Sequence, residues 1–163
     1  VHRPENVDST KKLRKIIETM LKIKELVIVF PVHPRTEQRL AAAKLMKQIE
    51  DTGHIKLTEP VGYHEMLQLS KHARMVLTDS GGLQKEAFWL HTPCVTLRNI
   101  TEWTETTGLR ANVIVGSSTK KIVETSRKIM NTKDIKAILE RLKNPFGDGK
   151  ASQHILAETL KIT

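Results

Sequence analysis

The sequence has one cysteine, few aromatic side chains and no apolar run long enough to cross a bilayer. The lone thiol of Cys94 allows no internal disulfide and is typical of a reducing compartment, so we expect a cytoplasmic protein. The aromatic content of 4% offers few surfaces on which single-stranded bases can stack. The apolar run 26–30 is far shorter than the roughly 20 residues of a membrane-spanning helix. These features predict no membrane partner and argue against a nucleic-acid partner.

Metal and nucleophile signatures are also missing from the sequence. The seven histidines are scattered, and none stands at ligand spacing from another or from Cys94, so we expect no metal centre. No nucleophile elbow or Cys–His pair is recognisable. The net charge of +9 leaves three interpretations, which are a nucleic acid, an anionic small ligand, or merely solvated lysines. Because the basic residues are scattered over helical faces, we expect no nucleic acid.

Helical and strand-like patterns alternate along the chain with short connections between them. The predicted helices are 9–24, 37–49, 63–72, 83–90, 119–130, 133–142 and 151–160, and the predicted strands are 26–30, 55–57, 75–77, 94–97 and 112–115. This alternation predicts an α/β fold with a doubly wound, Rossmann-like parallel sheet covered on both faces. No linker or repeat interrupts it. Residues 1–163 therefore form one predicted domain, with 151–163 as its terminal helix.

A candidate phosphate-binding turn follows the predicted strand 75–77. Asp79, Ser80, Gly81 and Gly82 precede a predicted helix, at the edge where open parallel sheets bind ligands. Free N–H groups and the helix dipole favour an anion there, glycine allows close approach, and the Ser80 hydroxyl can donate another bond. Asp79 is expected to support the amides of this turn. A tight turn without a ligand is the alternative, since many such turns carry small residues.

Glu86 stands four residues after Gly82 and so shares a helical face with the turn. A carboxylate can accept two hydrogen bonds from a vicinal diol such as the 2′- and 3′-hydroxyls of ribose. Phosphate donors and a diol acceptor on one turn of helix indicate a nucleotide. The structural alternative is a solvated glutamate paired with a lysine.

Two further polar segments are expected on the same rim of the sheet. His2 can bond a phosphate or sugar oxygen, and Arg3 can clamp an anion. The alternative for both is a frayed terminus. His33 follows the strand 26–30 and is either a ligand contact or a structural turn residue.

Several motifs together resemble one family closely. They are HRPEN (2–6), PVHP (31–34), LTDSGGLQ (77–84), PCVTLR (93–98), TE (101–102) and NPFGDGKAS (144–152), in order over essentially the whole chain. The similarity is to the carboxy-terminal domain of the non-hydrolysing UDP-N-acetylglucosamine 2-epimerases. That family has the two-domain glycosyltransferase-B architecture, with a UDP-sugar held between two Rossmann-like halves.

The resemblance implies roles for individual residues. The turn 80–82 would bind the diphosphate, Glu86 the ribose, and His2 would lie beside the substrate. Arg3 and His33 match positions that hold a second, activating UDP-N-acetylglucosamine in some bacterial members.

The resemblance also implies a reaction. The family inverts C2 by removing its proton and expelling UDP to give a 2-acetamidoglucal, then adds UDP back after reprotonation. This redox-neutral inversion needs no cofactor, and its acid–base carboxylates belong to an amino-terminal half that this chain lacks, along with the strand expected before His2. We therefore expect a UDP-sugar as ligand, the missing amino-terminal domain as partner, a homodimer when full length, and no turnover by the 163-residue chain alone.

Two residues depart from the family pattern and are candidate substrate-binding positions. Trp103 stands where an arginine usually contacts the substrate, and Met66 stands where many members have an aromatic that packs on the uracil. The segments 101–105 and 84–86 look more like a sister group acting on UDP-2,3-diacetamido-glucuronic acid. Loss of the fixed charge of arginine predicts altered sugar recognition. That epimerase, a glycosyltransferase of the same fold and a non-catalytic nucleotide-binding module are the alternative functions.

Overall fold

Helices and parallel strands alternate along residues 1–161, which the computed structural model describes. The strands are β1 (Ile28–Pro31), β2 (Ile55–Thr58), β3 (Val76–Thr78), β4 (Cys94–Thr96) and β5 (Asn112–Ile114). The helices are α1 (Pro4–Val7), α2 (Thr10–Lys22), α3 (Pro34–Ala42), α4 (Met46–Glu50), α5 (Tyr63–His72), α6 (Gly81–Trp89), α7 (Thr104–Gly108), α8 (Thr119–Asn131), α9 (Ile135–Glu140) and α10 (Ala151–Leu160). The α/β class expected from the sequence is confirmed. The last two residues of the predicted terminal helix 151–163 lie outside the described range.

The parallel strands form two separate sheets, one of two strands and one of three, which we call the first and the second ladder. β1 pairs with β2, with Ile28 opposite Ile55. β4 lies between β3 and β5, so that Cys94 is opposite Val76 on one side and Asn112 on the other. The strand directions and the intervening helices are those of a Rossmann-like fold.

One apolar core serves both ladders. Leu13, Ile16 and Ile17 of α2 recur at helical spacing and are all buried. They pack in the same cluster as Phe30 of the first ladder and Val95 of the second. Burial of this stripe explains why the segment 9–24 is correctly predicted as a helix. Ser9 caps that helix, since its side chain accepts from the Lys12 N–H.

The predicted helix 37–49 is wrong in one respect, because the chain divides it into α3 and α4. Lys44 adopts a left-handed conformation with φ of 55°. Its N–H donates to Ala41 O at 3.0 Å, and the Leu45 N–H donates to Leu40 O at 3.0 Å. This pairing is a Schellman motif, in which Leu40 and Leu45 supply the usual apolar contact and are fully buried. The residue at this position of a Schellman motif is usually glycine, so a lysine there does not indicate that a helix ends.

Two short helices were not predicted. α1 begins with Pro4 in its first turn and follows Arg3, whose carbonyl accepts from the Asn6 and Val7 N–H groups. A frayed amino terminus is therefore the wrong interpretation of this segment. α7 ends at a second Schellman motif, with Arg110 at φ of 58°.

The last helix packs differently from the others. Every residue of α10 is exposed, including the apolar Ile155 and Leu156. The expectation of a terminal helix is confirmed for Ala151–Leu160. Among residues 1–161, no helix combines the length and apolar character needed to span a membrane.

Candidate functional site

The turn between β3 and α6 keeps two backbone N–H groups available to a ligand. The Ser80 N–H donates to Thr78 Oγ1 at 3.0 Å, and the Leu83 N–H reaches Ser80 Oγ at 3.5 Å, so the protein itself uses these amides. The N–H groups of Gly81 and Gly82 find no acceptor within residues 1–161. They lie in the first turn of α6, where no preceding turn can accept from them and the dipole favours an anion.

Three side chains converge on Gly81. A Cβ placed on Gly81 would lie 3.5 Å from Glu102 Oε2, 3.6 Å from Trp103 Nε1 and 3.9 Å from Arg3 Nη2. The Trp103 Nε1 donates to Gly81 O at 2.8 Å, which fixes the turn from its carbonyl side. The Nε of Arg3 is buried and has no hydrogen-bond partner within the described part of the chain. A buried cationic donor without a partner beside two free amides is an arrangement that an anion would complete.

Asp79 holds the amino-terminal segment and not its own turn. Its carboxylate accepts from the His2 N–H at 3.0 Å, the Arg3 N–H at 3.0 Å and Asn6 Nδ2 at 3.0 Å, and it is fully buried. Burial alone would raise the pKa of Asp79, but the Val1 ammonium and these hydrogen bonds outweigh burial and lower the pKa below its usual value. The expected support of the 80–82 amides is therefore wrong, because the carboxylate turns to residues 2–6 instead.

His2 and His33 lie side by side at the ends of neighbouring segments. Their ring centroids are 5.7 Å apart. His2 Nδ1 is 3.6 Å from Asp79 Oδ1. Burial lowers the pKa of His2 despite the attraction of Asp79, and the positive charges of Val1, His33 and Arg3 lower it further. His33 caps α3 by accepting from the Arg35 N–H at 3.2 Å, so the structural role considered for it is present.

An ion-pair group neutralises the carboxylate nearest the turn. Arg98 Nη1 donates to both oxygens of Glu102, at 3.0 and 2.9 Å, and its Nε donates to Glu5 at 3.2 Å. The pKa of Glu102 is lowered, mainly by a hydrogen bond from the Glu102 backbone and to a smaller extent by the hydrogen bonds from Arg98. The negative charge beside Gly81 is thus balanced by Arg98, and Arg3 has no hydrogen-bonded carboxylate within residues 1–161.

Glu86 is partly exposed, and its side chain makes no hydrogen bond or ion pair within residues 1–161. The alternative considered for Glu86, an ion pair with a lysine, is therefore not present among the described residues. The adjacent Lys85 Nζ instead lies 4.9, 4.3 and 4.7 Å from the ring centroids of Trp89, Trp103 and Phe146. We call these three rings the aromatic cage. The cage holds the neighbouring cation away and leaves the Glu86 carboxylate open to a ligand.

The structure brings most of the predicted site residues to one rim. His2 adjoins His33 and Asp79, Arg3 lies beside Gly81, and Glu86 is one helical turn beyond Gly82. Met66 lies elsewhere, in the lining of an apolar cleft between β1 and β3. The contact of Met66 with a base stays a prediction.

Sequence reasoning missed two parts of this site. Asn6 bridges Asp79 Oδ2 and Leu97 O, at 3.0 and 2.9 Å, and so ties α1 to both β3 and β4. The HRPEN motif was the available signal, since it ends on this asparagine. The indole bond from Trp103 to Gly81 had no signal, because the two residues are far apart in sequence. Within residues 1–161, no three His, Cys, Asp or Glu side chains are grouped to hold a metal ion.

Comparison with known proteins gives a consistent result. A family model described as UDP-N-acetylglucosamine 2-epimerase matches residues 1–160. The UDP-N-acetylglucosamine 2-epimerase of Methanocaldococcus jannaschii is 42% identical over 159 residues, which is 96% of this chain and 42% of that protein. A UDP-2,3-diacetamido-2,3-dideoxy-D-glucuronate 2-epimerase of Pseudomonas aeruginosa is 38% identical over 164 residues, covering 99% of this chain and 43% of its own length. The chain therefore spans about two fifths of the curated relatives that it matches.

A solved structure agrees with these sequence relatives. The chain superposes on the M. jannaschii UDP-GlcNAc 2-epimerase in complex with UDP-GlcNAc and UDP, with a TM-score of 0.85 and 40% identity. The match covers 98% of this chain and 43% of that one.

Proposed function

This chain belongs to the UDP-N-acetylglucosamine 2-epimerase family, and from that membership we propose that it forms the UDP-binding part of an enzyme that inverts C2 of a UDP-sugar. The observation that carries the proposal is the pair of free amides at Gly81 and Gly82 beside the unpartnered Nε of Arg3. A diphosphate supplies the acceptors that these donors lack.

The ribose is assigned to Glu86. Its carboxylate stands four residues from Gly82 with no hydrogen-bonded partner in residues 1–161, so both oxygens are open to the two hydroxyls. A nucleoside diphosphate then lies along α6, with its phosphates at the helix start and its sugar one turn further on. His2 is assigned to the sugar side of the diphosphate, and Arg3 and His33 to the same rim.

Titration calorimetry of the 163-residue chain tests this assignment. Glu86→Ala is expected to weaken UDP binding by roughly 10- to 100-fold, since a hydrogen bond to a charged group contributes about 1.5–3 kcal/mol. Inorganic pyrophosphate, which has no ribose, is expected to bind the variant no more weakly than the parent. Removing a negative charge near the phosphates acts, if anything, in favour of pyrophosphate.

Glu50→Ala is the matched control. Glu50 is an exposed glutamate at the end of α4 with no ion pair in the described residues, so its loss changes the net charge equally without touching the turn. Equal losses of UDP and pyrophosphate affinity in Glu86→Ala contradict the ribose role. If Glu50→Ala loses UDP affinity by the same factor as Glu86→Ala, the loss is due to the change in net charge and not to the ribose.

A second candidate substrate is UDP-2,3-diacetamido-glucuronic acid. Trp103 favours it, because an indole stands where the family usually has an arginine and its N–H is already bound to Gly81 O. The P. aeruginosa relative named for that activity supports the same view. Product analysis by NMR, with each UDP-sugar offered to the full-length protein, distinguishes the two substrates. It also separates both from transfer of a sugar to an acceptor, the glycosyltransferase alternative.

The remaining expectations concern the whole protein. We propose a cytoplasmic homodimer whose acid–base carboxylates come from an amino-terminal domain. With a single cysteine, Cys94, the chain can form no internal disulfide, which is typical of proteins from a reducing compartment. Neither a metal nor a dinucleotide has a part in the proposed reaction.

A further inference from the structure

The aromatic cage encloses a lysine ammonium at the side of α6. Lys85 Nζ lies between 4.3 and 4.9 Å from the centroids of all three rings. Aromatic faces attract a cation, but they offer no strong acceptor to its N–H groups. The Lys85 side chain makes no hydrogen bond or ion pair within residues 1–161. It therefore keeps donors available to an anionic ligand.

One ring of the cage comes from the motif 144–152, to which the proposed function gives no part. Phe146 stands edge-on to the two tryptophan rings, at centroid distances of 5.9 and 5.8 Å and interplanar angles of 78° and 89°. Its loop is closed by its own bonds. The Phe146 N–H donates to Asn144 Oδ1 at 3.0 Å, and Asn144 Nδ2 donates to Gly147 O at 2.9 Å. The protein alone therefore fixes this ring beside the ammonium.

Helical geometry directs Lys85 towards the proposed diphosphate site. Lys85 stands four residues after Gly81 and is therefore on the same face of α6. Because helical side chains lean towards the amino terminus of their helix, the Lys85 side chain covers the turn that contains Gly81. One indole connects the two positions, since Trp103 Nε1 donates to Gly81 O at 2.8 Å while the face of the same ring carries Lys85 Nζ. The ammonium therefore lies beside the first turn of α6.

Lys85 and Glu86 belong to two adjacent rows of residues on α6. Glu86, the proposed ribose ligand, is in the row of Gly82, whereas Lys85 is in the row of Gly81. In UDP the α-phosphoryl group adjoins the ribose, and the β-phosphoryl group is one position further away. With the ribose at Glu86, the β-phosphoryl group falls on the row that contains Gly81 and Lys85.

The charges around the turn favour the same assignment. The Glu102 carboxylate beside Gly81 accepts from Arg98 Nη1 at 3.0 and 2.9 Å. Among the described residues, neither Lys85 nor Arg3 is hydrogen-bonded to a carboxylate. Two such cations and two free amides form an electropositive turn, which suits an anion with more than one negative charge.

We propose that Lys85 is a further diphosphate-binding residue, and that its ammonium, held by the aromatic cage, donates to the β-phosphoryl group of UDP. The assignment rests on the proposed function, because it requires the ribose at Glu86. In the proposed elimination the C2 proton passes to a base and a double bond forms between C1 and C2. The C1–O bond breaks, and its electron pair goes to the β-phosphoryl oxygen. The Lys85 ammonium stabilises the charge that develops on this oxygen.

Calorimetry of the 163-residue chain with UDP and with UMP tests the proposal. Lys85→Met keeps an unbranched side chain against the rings and removes the charge. It is expected to weaken UDP binding about 10-fold, because a hydrogen bond to a charged group is lost. UMP has no β-phosphoryl group, so its affinity should stay within about 2-fold of the parent value, which also shows that the variant is folded. Lys85→Arg keeps a cation over the rings and should bind UDP within about 3-fold of the parent.

Lys47→Met is the matched control. Lys47 is an exposed lysine of α4 with no ion pair in the described residues, so its loss changes the net charge equally. Because it is not part of the turn or the cage, Lys47→Met should leave the affinities for both nucleotides within about 2-fold of the parent values.

Four results would overturn the proposal while leaving the UDP site in place. One is an unchanged UDP affinity in Lys85→Met, and another is an equal loss in Lys47→Met. The third is a Lys85→Arg variant that binds UDP as weakly as Lys85→Met, and the fourth is a loss of UMP affinity as large as that of UDP. A parent chain that binds no UDP is a different outcome, because it overturns the proposed function and the role of Lys85 with it.

Discussion

Asp79 is the residue on which the rim of the site depends. Its buried carboxylate accepts bonds from the backbone of His2 and Arg3 and from the side chain of Asn6. A buried acceptor with several donors fixes the approach of each. The backbone positions of His2 and Arg3 beside the turn 80–82 therefore depend on one carboxylate at the end of β3.

Replacing Asp79 with asparagine should destabilise the fold in a pH-dependent way. Asp79→Asn is expected to lower the free energy of unfolding by about 2 kcal/mol at pH 7, because a charged acceptor for one buried and two partly buried donors is lost. The pKa of Asp79 is lowered in the folded state, so its contribution is complete above the unfolded pKa of about 4 and is lost as the pH falls through the folded pKa. Urea unfolding from pH 7 to pH 3 measures this.

The control for this prediction is Asp51→Asn, at an exposed carboxylate after α4. It should leave the free energy of unfolding within about 0.5 kcal/mol of the parent. A difference between Asp79→Asn and the parent that stays constant down to pH 3 would mean that the charge of Asp79 does not contribute.

At the scale of elements, α6 is held at its start by Trp103 and along its length by the aromatic cage. The indole N–H binds Gly81 O, while Lys85 lies over Trp89, Trp103 and Phe146. This contact orients the first turn of α6 without using the two free amides. We therefore expect Trp103 to act as a positioning residue for the proposed diphosphate site.

Trp103→Phe should keep the ring and lose the bond to Gly81 O. We expect UDP affinity to fall about 3- to 10-fold, from a lost hydrogen bond of about 1 kcal/mol, and pyrophosphate affinity to fall by the same factor because both ligands use the turn. Trp89→Phe is the matched control, since Trp89 belongs to the same cage, is 47% exposed and has no hydrogen-bonded indole within the described residues. Calorimetry on both variants measures the difference. Equal affinities in the two variants would exclude the positioning role.

The elements also show how far the sequence predicts the fold. The helix α5 (Tyr63–His72) and the strand pattern were predicted because apolar periodicity is a local property. The division of 37–49 was missed because it depends on Lys44 in the left-handed region, where a lysine side chain gives no local sign. α1 was missed because a four-residue helix held by Asn6 and Asp79 depends on contacts 73 residues apart.

The candidate site shows the same division. The turn 80–82 and Glu86 could be predicted, because their spacing on one helix is fixed by helical geometry. The partners of Asp79 and Trp103 could not, since each meets a segment brought near only by the folded sheet. Met66, which was predicted from family position alone, lies in the cleft between the ladders.

On the scale of the whole molecule, the proposed reaction needs groups that the rim does not offer. Inversion at C2 requires a base to remove a proton and an acid to return one. Of the carboxylates at the rim, Asp79 is committed to buried donors, Glu102 is paired with Arg98, and Glu86 is assigned to the ribose. On the proposed function we therefore expect the rim to hold UDP, and the proton transfers to fall to the rest of the protein.

The 163-residue chain should consequently bind UDP-N-acetylglucosamine without inverting it. NMR in D2O checks this directly, since even an abortive removal of the C2 proton would leave deuterium at that carbon. We expect neither deuterium at C2 nor the C2 epimer after prolonged incubation. Any trace signal should be measured again with Glu86→Ala, because a contaminating enzyme would be indifferent to that change. Turnover by the parent chain that falls in Glu86→Ala would show that the 163-residue chain itself carries out the proton transfers. That result would contradict the argument that Asp79 and Glu102 are not available as acid or base.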